Sequence, residues 1–298
     1  MAVLEYVTRF HDRIIDMYGH ELISDELYHS NEDIQITGAK EIKIPRLTVS
    51  GYKDHNRNTL GFNGGNYSNN FEVKSLDHDR DIEFAIDPMD VDETNQVVSI
   101  GNVQARFERK QAIPELDCYT FSKLYSEAER VGATIKHTAI TAANVLADFD
   151  DNCEAFEDAG VPLSRCILYC TAAYKKALKN AEGIQRTLEV SGSNHGIDRR
   201  IHSMDDLGKI KVVPVERFKT MYNFTEGYQA DATGKQINYI LIDPESQISR
   251  VKYAYINTYT PGHDSRTADK YLYQNRRYNG TFALDVELKQ GCIINAEE

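Results

Sequence analysis

Apolar positions in this chain follow two different periods, and the boundaries between them divide it into elements. From Gly38 they alternate: Ile42, Ile44, Leu47 and Val49, then, after a polar stretch, Phe71, Val73 and Leu76. A period of two is that of a β-strand. The intervening YKDHNRNTLGFNGGNYSNN is rich in Asn and Gly. Together these predict a long β-hairpin with a loop of roughly twenty residues, well beyond ordinary hairpin connections. A loop of that size belongs to a ligand or a partner. The two strands carry too few apolar residues to form a core, so the hairpin is expected to project and be completed by another subunit. Ile82, Phe84 and Ile86 continue the alternation until Asp87-Pro88 ends it.

The period then lengthens. Asp90 reads as a helix N-cap with Glu93 completing a capping box. Val91, Val97, Val98, Ile100, Val103 and Phe107 form a loose stripe, and Arg106, Arg109 and Lys110 load the last turn, where the helix dipole favours cations. This predicts a long helix over 90–110 with partners on more than one side. Pro114 opens a second helix, with Leu116, Tyr119, Leu124, Ala128 and Val131 as its buried face and Gly132 as its stop. Thr141 caps a third, with Val145, Leu146, Phe149, Cys153 and Phe156 at helical spacing and Gly160 as terminator. RCILYCT at 165–171 is a strand, and TAAYKKALKNAEG returns as a helix closed at Gly183. The polar stretch Thr187–Leu207 is an exposed loop, Ile210–Val215 a strand, and 227–235 a further loop. INYILI at 237–242 is a buried strand; Val251–Tyr259 alternates as a strand, and Tyr271–Ile294 is expected to be a strand pair turning at Asn279-Gly280. Ahead of all this, Leu4, Val7, Phe10, Ile14 and Met17 space an amphipathic helix, and the acidic stretch after it forms an extended arm.

Composition narrows the function more than the fold. A chain of 298 residues with 41% hydrophobic content can bury one large core or two intimate ones. The formal net charge of −12 argues against sequence-specific duplex binding as the main task, because phosphate contacts need clustered cations, and leaves passive proximity to nucleic acid open. No apolar run approaches a membrane span. Five scattered cysteines fit a reducing compartment. Eighteen tyrosines and no tryptophan suit half-wet surfaces such as interfaces.

Candidate chemistry is weak throughout. GFNGGN at 61–66 lacks the lysine-serine pair and following helix of a phosphate loop. Asp77-His78-Asp79 would point to opposite faces of a strand and reads as a solvated strand entry. Asp148–Asn152 resembles a calcium loop but has Cys153 where glycine is required and Ala159 where the bidentate glutamate belongs; the wet face of the third helix explains it better. Cys166 and Cys170 read as buried small hydrophobes, and His195, His202 and His263 sit in polar loops without a nucleophile. Arg199-Arg200 and Arg276-Arg277 read as salt-bridged surface. No catalytic constellation, metal site or cofactor site emerges.

The order of arm, projecting hairpin, spine helix, α/β lobe and returning β-segment resembles the major capsid protein of tailed double-stranded DNA bacteriophages, the Hong Kong 97-type family. The likeness is carried by GAKEIKIP (38–45), LDHDRDIEFAIDPMDVDET (76–94), IPELDCYTFSKL (113–124), INYILIDPESQISRVK (237–252) and YLYQNRRYNGTFALDVELKQGCII (271–294). It is similar to capsid proteins of phages infecting low-GC Gram-positive bacteria. The resemblance implies an α+β fold with an N-terminal arm (1–37), an E-loop (38–86), a peripheral domain with the spine helix (87–140), an axial domain (141–249) and a return to the peripheral domain (250–298). It implies an E-loop tip at Lys53, Arg57, Asn63, Gly64, Gly65 and Asn66 that makes assembly contacts. Asp90, Glu93, Arg106 and Arg109 would mark the spine, whose polar side, with Gln104, Glu108 and Arg109, would lie along a shell surface. The implied partners are the chain itself in hexamers and pentamers, a portal, a separate scaffolding protein and non-specifically packaged double-stranded DNA. The implied place is the virion, and the host cytoplasm during assembly. Two other readings stay open: an encapsulin-like nanocompartment of the same fold, and a cytosolic enzyme.

Overall fold

The computed structural model describes residues 22–28, 35–37, 41–55, 61–93, 99–181, 207–263 and 267–298. The expected helix over 4–18, Arg57, Gly183, and the 187–206 loop with His195, Arg199, Arg200 and His202 lie outside them.

Chain order gives strands β1 (Gln35–Thr37), β2 (Glu41–Val49), β3 (Tyr67–Ser75) and β4 (His78–Ile86). After the helix that ends at Val131 come β5 (Thr134–Lys136), β6 (Ile167–Thr171), β7 (Lys209–Val213), β8 (Tyr222–Asn223), β9 (Gln229–Ala230), β10 (Ile237–Ile242), β11 (Gln247–Tyr259), β12 (Tyr271–Ala283) and β13 (Cys292–Ala296), with further helices between them. The core is a five-stranded sheet ordered β5-β13-β10-β6-β7. Its central β10 is the INYILI run, apolar on both faces because helices cover both. Ile240 and Ile242 pack with Phe121, Leu124 and Ala128 of one helix, while Tyr239 and Leu241 pack with Phe149, Phe156 and Tyr174 of two others. A strand covered on both sides needs no alternation, as its sequence indicates.

A second sheet, β11-β12-β4, is antiparallel throughout and takes the strand that returns from the hairpin as one edge, His78 pairing Asn279 and Ile86 pairing Tyr271. β12 runs unbroken through Asn279-Gly280, so the expected turn there is absent. Asn279 is buried against His78, and a Cβ on Gly280 would stand 2.7 Å from the side chains of Leu76 and Phe282; close packing, rather than a turn, calls for that glycine. The residues after β12 form a helix, Asp285–Gly291, and then β13, which enters the other sheet between β5 and β10.

The helical spine also departs from the expectation. Asp87, not Asp90, caps the short Pro88–Glu93 helix: its carboxylate accepts from Met89 N at 3.0 Å and Pro88 takes the first helical position, so Asp90 falls inside and is exposed. Residues 94–98 are not described. The long element runs Ile100–Phe107, a π-helical stretch Glu108–Ala112, then Ile113–Val131, without a break at Pro114. At 1.5 Å per residue it spans roughly 48 Å. Proline lacks the N–H for the carbonyl four residues earlier and crowds it, and the wider π turn directly before Pro114 relieves that conflict. Lys110 O, the carbonyl so bypassed, accepts from Tyr228 Oη at 3.3 Å. Gly132, at φ 69°, ends the helix as expected. The third helix starts at Val145 rather than after Thr141, because Asn144 Oδ1 accepts from Thr141 N and Oγ1 and holds the preceding turn.

Of the polar spine residues expected to face outward, Gln104 and Glu108 turn inward. Gln104 is buried and donates to Thr258 Oγ1 at 2.6 Å. Glu108 has no exposed surface. It accepts from Tyr273 Oη at 2.9 Å and Asn275 Nδ2 at 2.6 Å, and pairs with Arg277 at 3.4 Å, all from β12. Arg106 and Arg109 are exposed on the outer face. The described end of the arm is tied to its own chain: Ser24 N and Oγ donate to buried Asp117 at 3.0 and 2.8 Å, and Leu27 enters the core. Of the expected wet face of the third helix, Asp150 and Asp151 are exposed, whereas Asp148 and Asn152 both hydrogen bond Tyr239 and Asn152 is buried.

Removing Glu108 would take a charged acceptor from Tyr273 and Asn275 and an ion-pair partner from Arg277. Glu108→Ala should lower unfolding free energy by about 3–5 kcal/mol, the cost of breaking a buried ion pair. Chemical denaturation of the full chain measures it.

Candidate assembly interface

Register decides what the hairpin presents. β2 and β3 pair antiparallel from Glu41↔Ser75 to Val49↔Tyr67, with Lys43↔Val73 and Leu47↔Asn69 between. Alternation therefore puts Leu47, Val49, Tyr67 and Val73 on one face. That face lies open: Leu47 is 68% exposed, Val49 72% and Tyr67 81%. On the opposite face the Thr48 and Ser68 hydroxyls stand 2.7 Å apart. β1 pairs only with residues 41–43 of β2, so at Pro45 the strand is an outer edge where a missing N–H costs nothing. A hairpin standing nearly alone is marginal in water, and this one carries the apolar face that would bind it to something.

Beyond the strands, Ser50 N donates to Asn66 O and Asn66 N to Ser50 Oγ, both at 2.9 Å, closing the loop's neck. Asn63 Nδ2 donates to the carbonyls of Lys53 (3.2 Å) and Asp54 (2.8 Å), and Lys53 Nζ reaches Gly64 O at 3.3 Å. The structure thus gathers Lys53, Asn63, Gly64, Gly65 and Asn66 at one exposed tip, flanked by fully exposed Tyr52 and Phe62. Asp90, Arg106 and Arg109 lie exposed on other elements; the Glu93 side chain is not described. The apolar face of 47, 49, 67 and 73 is the feature that motif search passes over. Its signal is the period-2 register between two distant runs, legible only once their pairing is known.

At the hairpin's base, β4 is fastened to the spine and to the 222–228 segment. Arg80 Nε donates to Glu115 Oε1 at 2.7 Å, and its Nη atoms donate to the carbonyls of Phe224 and Gly227. His78, expected to be solvated, is 7% exposed. Its ring stacks on Tyr119 at 4.0 Å and meets the edge of Phe224 at 5.4 Å. Asp77 accepts from Tyr119 Oη at 2.5 Å and Lys123 Nζ at 2.6 Å, and Asp79 pairs with Arg276 at 2.6 Å. The arginine pair is ion-paired as expected, although Arg277 is mostly buried. No group of three metal-ligating side chains occurs among the described residues. Cys166 and Cys170 pack in the core, where burial pushes both thiols up to about 12, so neither is a nucleophile at neutral pH. No helix among the described residues is long and apolar enough to cross a membrane.

Leu47→Asp or Val49→Asp should leave monomer stability within about 0.5 kcal/mol, since neither side chain is buried in the single chain. Either should abolish association through this face. Thermal melts and sedimentation velocity of the same samples separate the two effects.

No protein-family model and no curated protein matches the sequence. Solved structures do. The mature capsid of bacteriophage PhiM1 superposes with a TM-score of 0.61 at 10% identity, over 87% of this chain and 82% of that one. The capsid of cyanophage P-SCSP1u gives 0.57 at 11% identity over 92% and 87%. A virus-like particle from Pyrococcus furiosus gives 0.54 at 11% identity over 98% and 99%. Chain order, the projecting hairpin, the long spine and the two sheets together have the Hong Kong 97-type fold of tailed-phage major capsid proteins.

Proposed function

We propose that this chain is a major capsid protein, self-assembling as hexamers and pentamers into a closed icosahedral shell around phage double-stranded DNA. One observation carries the reading: a hairpin whose apolar face is left exposed, on a fold shared with shell proteins. A second copy supplies the cover. Burying a Leu, Val or Tyr of this face contributes about 1.5–3 kcal/mol each, so a few per subunit, repeated over a shell, suffice. The Lys53–Asn66 tip would extend the contact, with residues 38–86 acting as the E-loop and 141–249 as the axial domain.

The charge distribution supports the same use. Residues 41–75 carry five Lys or Arg against three Asp or Glu, in a chain whose net charge is −12. A cationic hairpin is drawn to the acidic body of a neighbour. The remaining negative charge keeps the wall from gripping packaged DNA. A portal and a separate scaffolding protein would complete assembly, first in the host cytoplasm and finally in the virion. In this role the chain performs no catalysis.

A second reading rests on the likeness to the Pyrococcus furiosus particle, which spans nearly the whole of both chains. In it the same shell encloses a protein cargo instead of DNA.

Electron microscopy of the purified chain should show closed particles, and deletion of 56–65 at the hairpin tip should leave folded protein that closes none. Particles of normal size from that deletion would overturn the hairpin's role. Packaged nucleic acid against co-purified protein separates the two readings.

A further inference from the structure

We propose that His78 and Glu115 form an acid-operated release for the clamp through which Arg80 holds the 222–228 segment against the spine helix. It is a property of the single chain, and holds whether or not the chain builds shells.

Three elements meet at this point. From β4 come His78 and Arg80; from the spine, Glu115 and Tyr119; from the segment beside β8, the Phe224 ring and the carbonyls of Phe224 and Gly227. Glu115 Oε1 is shared. Arg80 Nε occupies it at 2.7 Å, while His78 Nε2 stands 3.7 Å from the same oxygen and makes no hydrogen bond. His78 Nδ1 lies 2.8 Å from Asn279 Oδ1, an acceptor, so Nδ1 carries the proton. Neutral His78 therefore turns an unprotonated nitrogen toward the carboxylate. The charged groups facing it are few: Asp77 and Arg80 on its own strand and Glu115 on the spine, with Lys123 held on the far side of Asp77. β12 offers the neutral Asn279 and, on the wall of the adjoining cavity, Arg277, whose charge is met by Glu108; the 222–228 segment offers the Phe224 ring.

Protonation converts Nε2 into a donor aimed at Glu115 and places a second cation beside Arg80. Two cations then compete for one carboxylate oxygen. Imidazolium is held rigidly by Asn279 and the Tyr119 stack, whereas Arg80 has a third of its side chain exposed and a long flexible stem. Arg80 is the group that yields. A cavity of about 270 Å³, bounded by Arg80, Phe84, Phe107, Ala112 and Gly227, gives its guanidinium room to move. As it moves, the carbonyls of Phe224 and Gly227 lose their donors and the segment loosens.

The direction in pH follows from burial. Desolvation holds the His78 imidazole below its ordinary 6.5, against the opposing pull of Asn279 and Glu115. The neutral ring's contribution is complete above that value and is lost as pH falls beneath it.

Hydrogen exchange of the full chain, corrected for intrinsic rates, tests the device. Between pH 7.5 and 5.0 the 222–228 amides of the wild type should lose protection while those of spine residues 116–131 keep theirs. His78→Gln, which cannot charge, should show no such change, and Glu115→Gln should be loosened at both pH values. An equal acid effect in His78→Gln, or none in the wild type, overturns the proposal. Should the variants not fold, the wild type alone decides: loosening confined to 222–228 supports it, and equal loosening of spine residues 116–131 overturns it.

Discussion

One carboxylate without solvent, Glu108, fixes how the spine sits on the β11-β12-β4 sheet. A buried charge is tolerable only when its hydrogen-bonding capacity is met, and here Tyr273, Asn275 and Arg277 meet it from a single strand. All three lie on the strand that also pairs with the hairpin's return leg. The position of the spine, the orientation of that sheet and the direction in which the hairpin leaves the body are thereby set together. The π turn that begins at Glu108 belongs to the same arrangement, since it reconciles Pro114 with a continuous helix.

Much of this was legible in the sequence where local pattern and tertiary demand agree. INYILI is a buried central strand, Gly132 a left-handed helix stop, and the alternation around 42–49 and 71–76 a hairpin. It was not legible where a polar residue is buried by distant partners. Gln104 and Glu108 look like the wet side of a helix because Thr258, Tyr273 and Asn275, which claim them, lie about 150 or more residues away. Asn279-Gly280 carries the chemistry of a tight turn, yet His78 takes the asparagine and Leu76 and Phe282 leave room for nothing larger than glycine. Asp90 failed as a cap because Asp87-Pro88 offers the same signal three residues earlier.

The candidate site divides the same way. The tip residues gathered around Asn63 were visible as an unusually long, Asn- and Gly-rich connection. The apolar face below them was not, because strand register belongs to the pair and not to either run. Once register is known, an exposed ladder of Leu47, Val49 and Tyr67 distinguishes the hairpin from a surface decoration. The body it springs from is covered on both faces of its main sheet.

The placement of β13 bears on synthesis. This strand, residues 292–296, is internal to the five-stranded sheet, so that sheet cannot close until nearly everything before it has been translated. The hairpin is complete by residue 75. At about 5–20 residues per second, roughly ten to forty seconds separate the two events on the ribosome. During that interval the sticky face is already made while the body that should carry it is not. If the hairpin is the assembly contact proposed above, chains growing side by side on one message would meet through it first, and association, with the hazard of tangling, would start at the polysome.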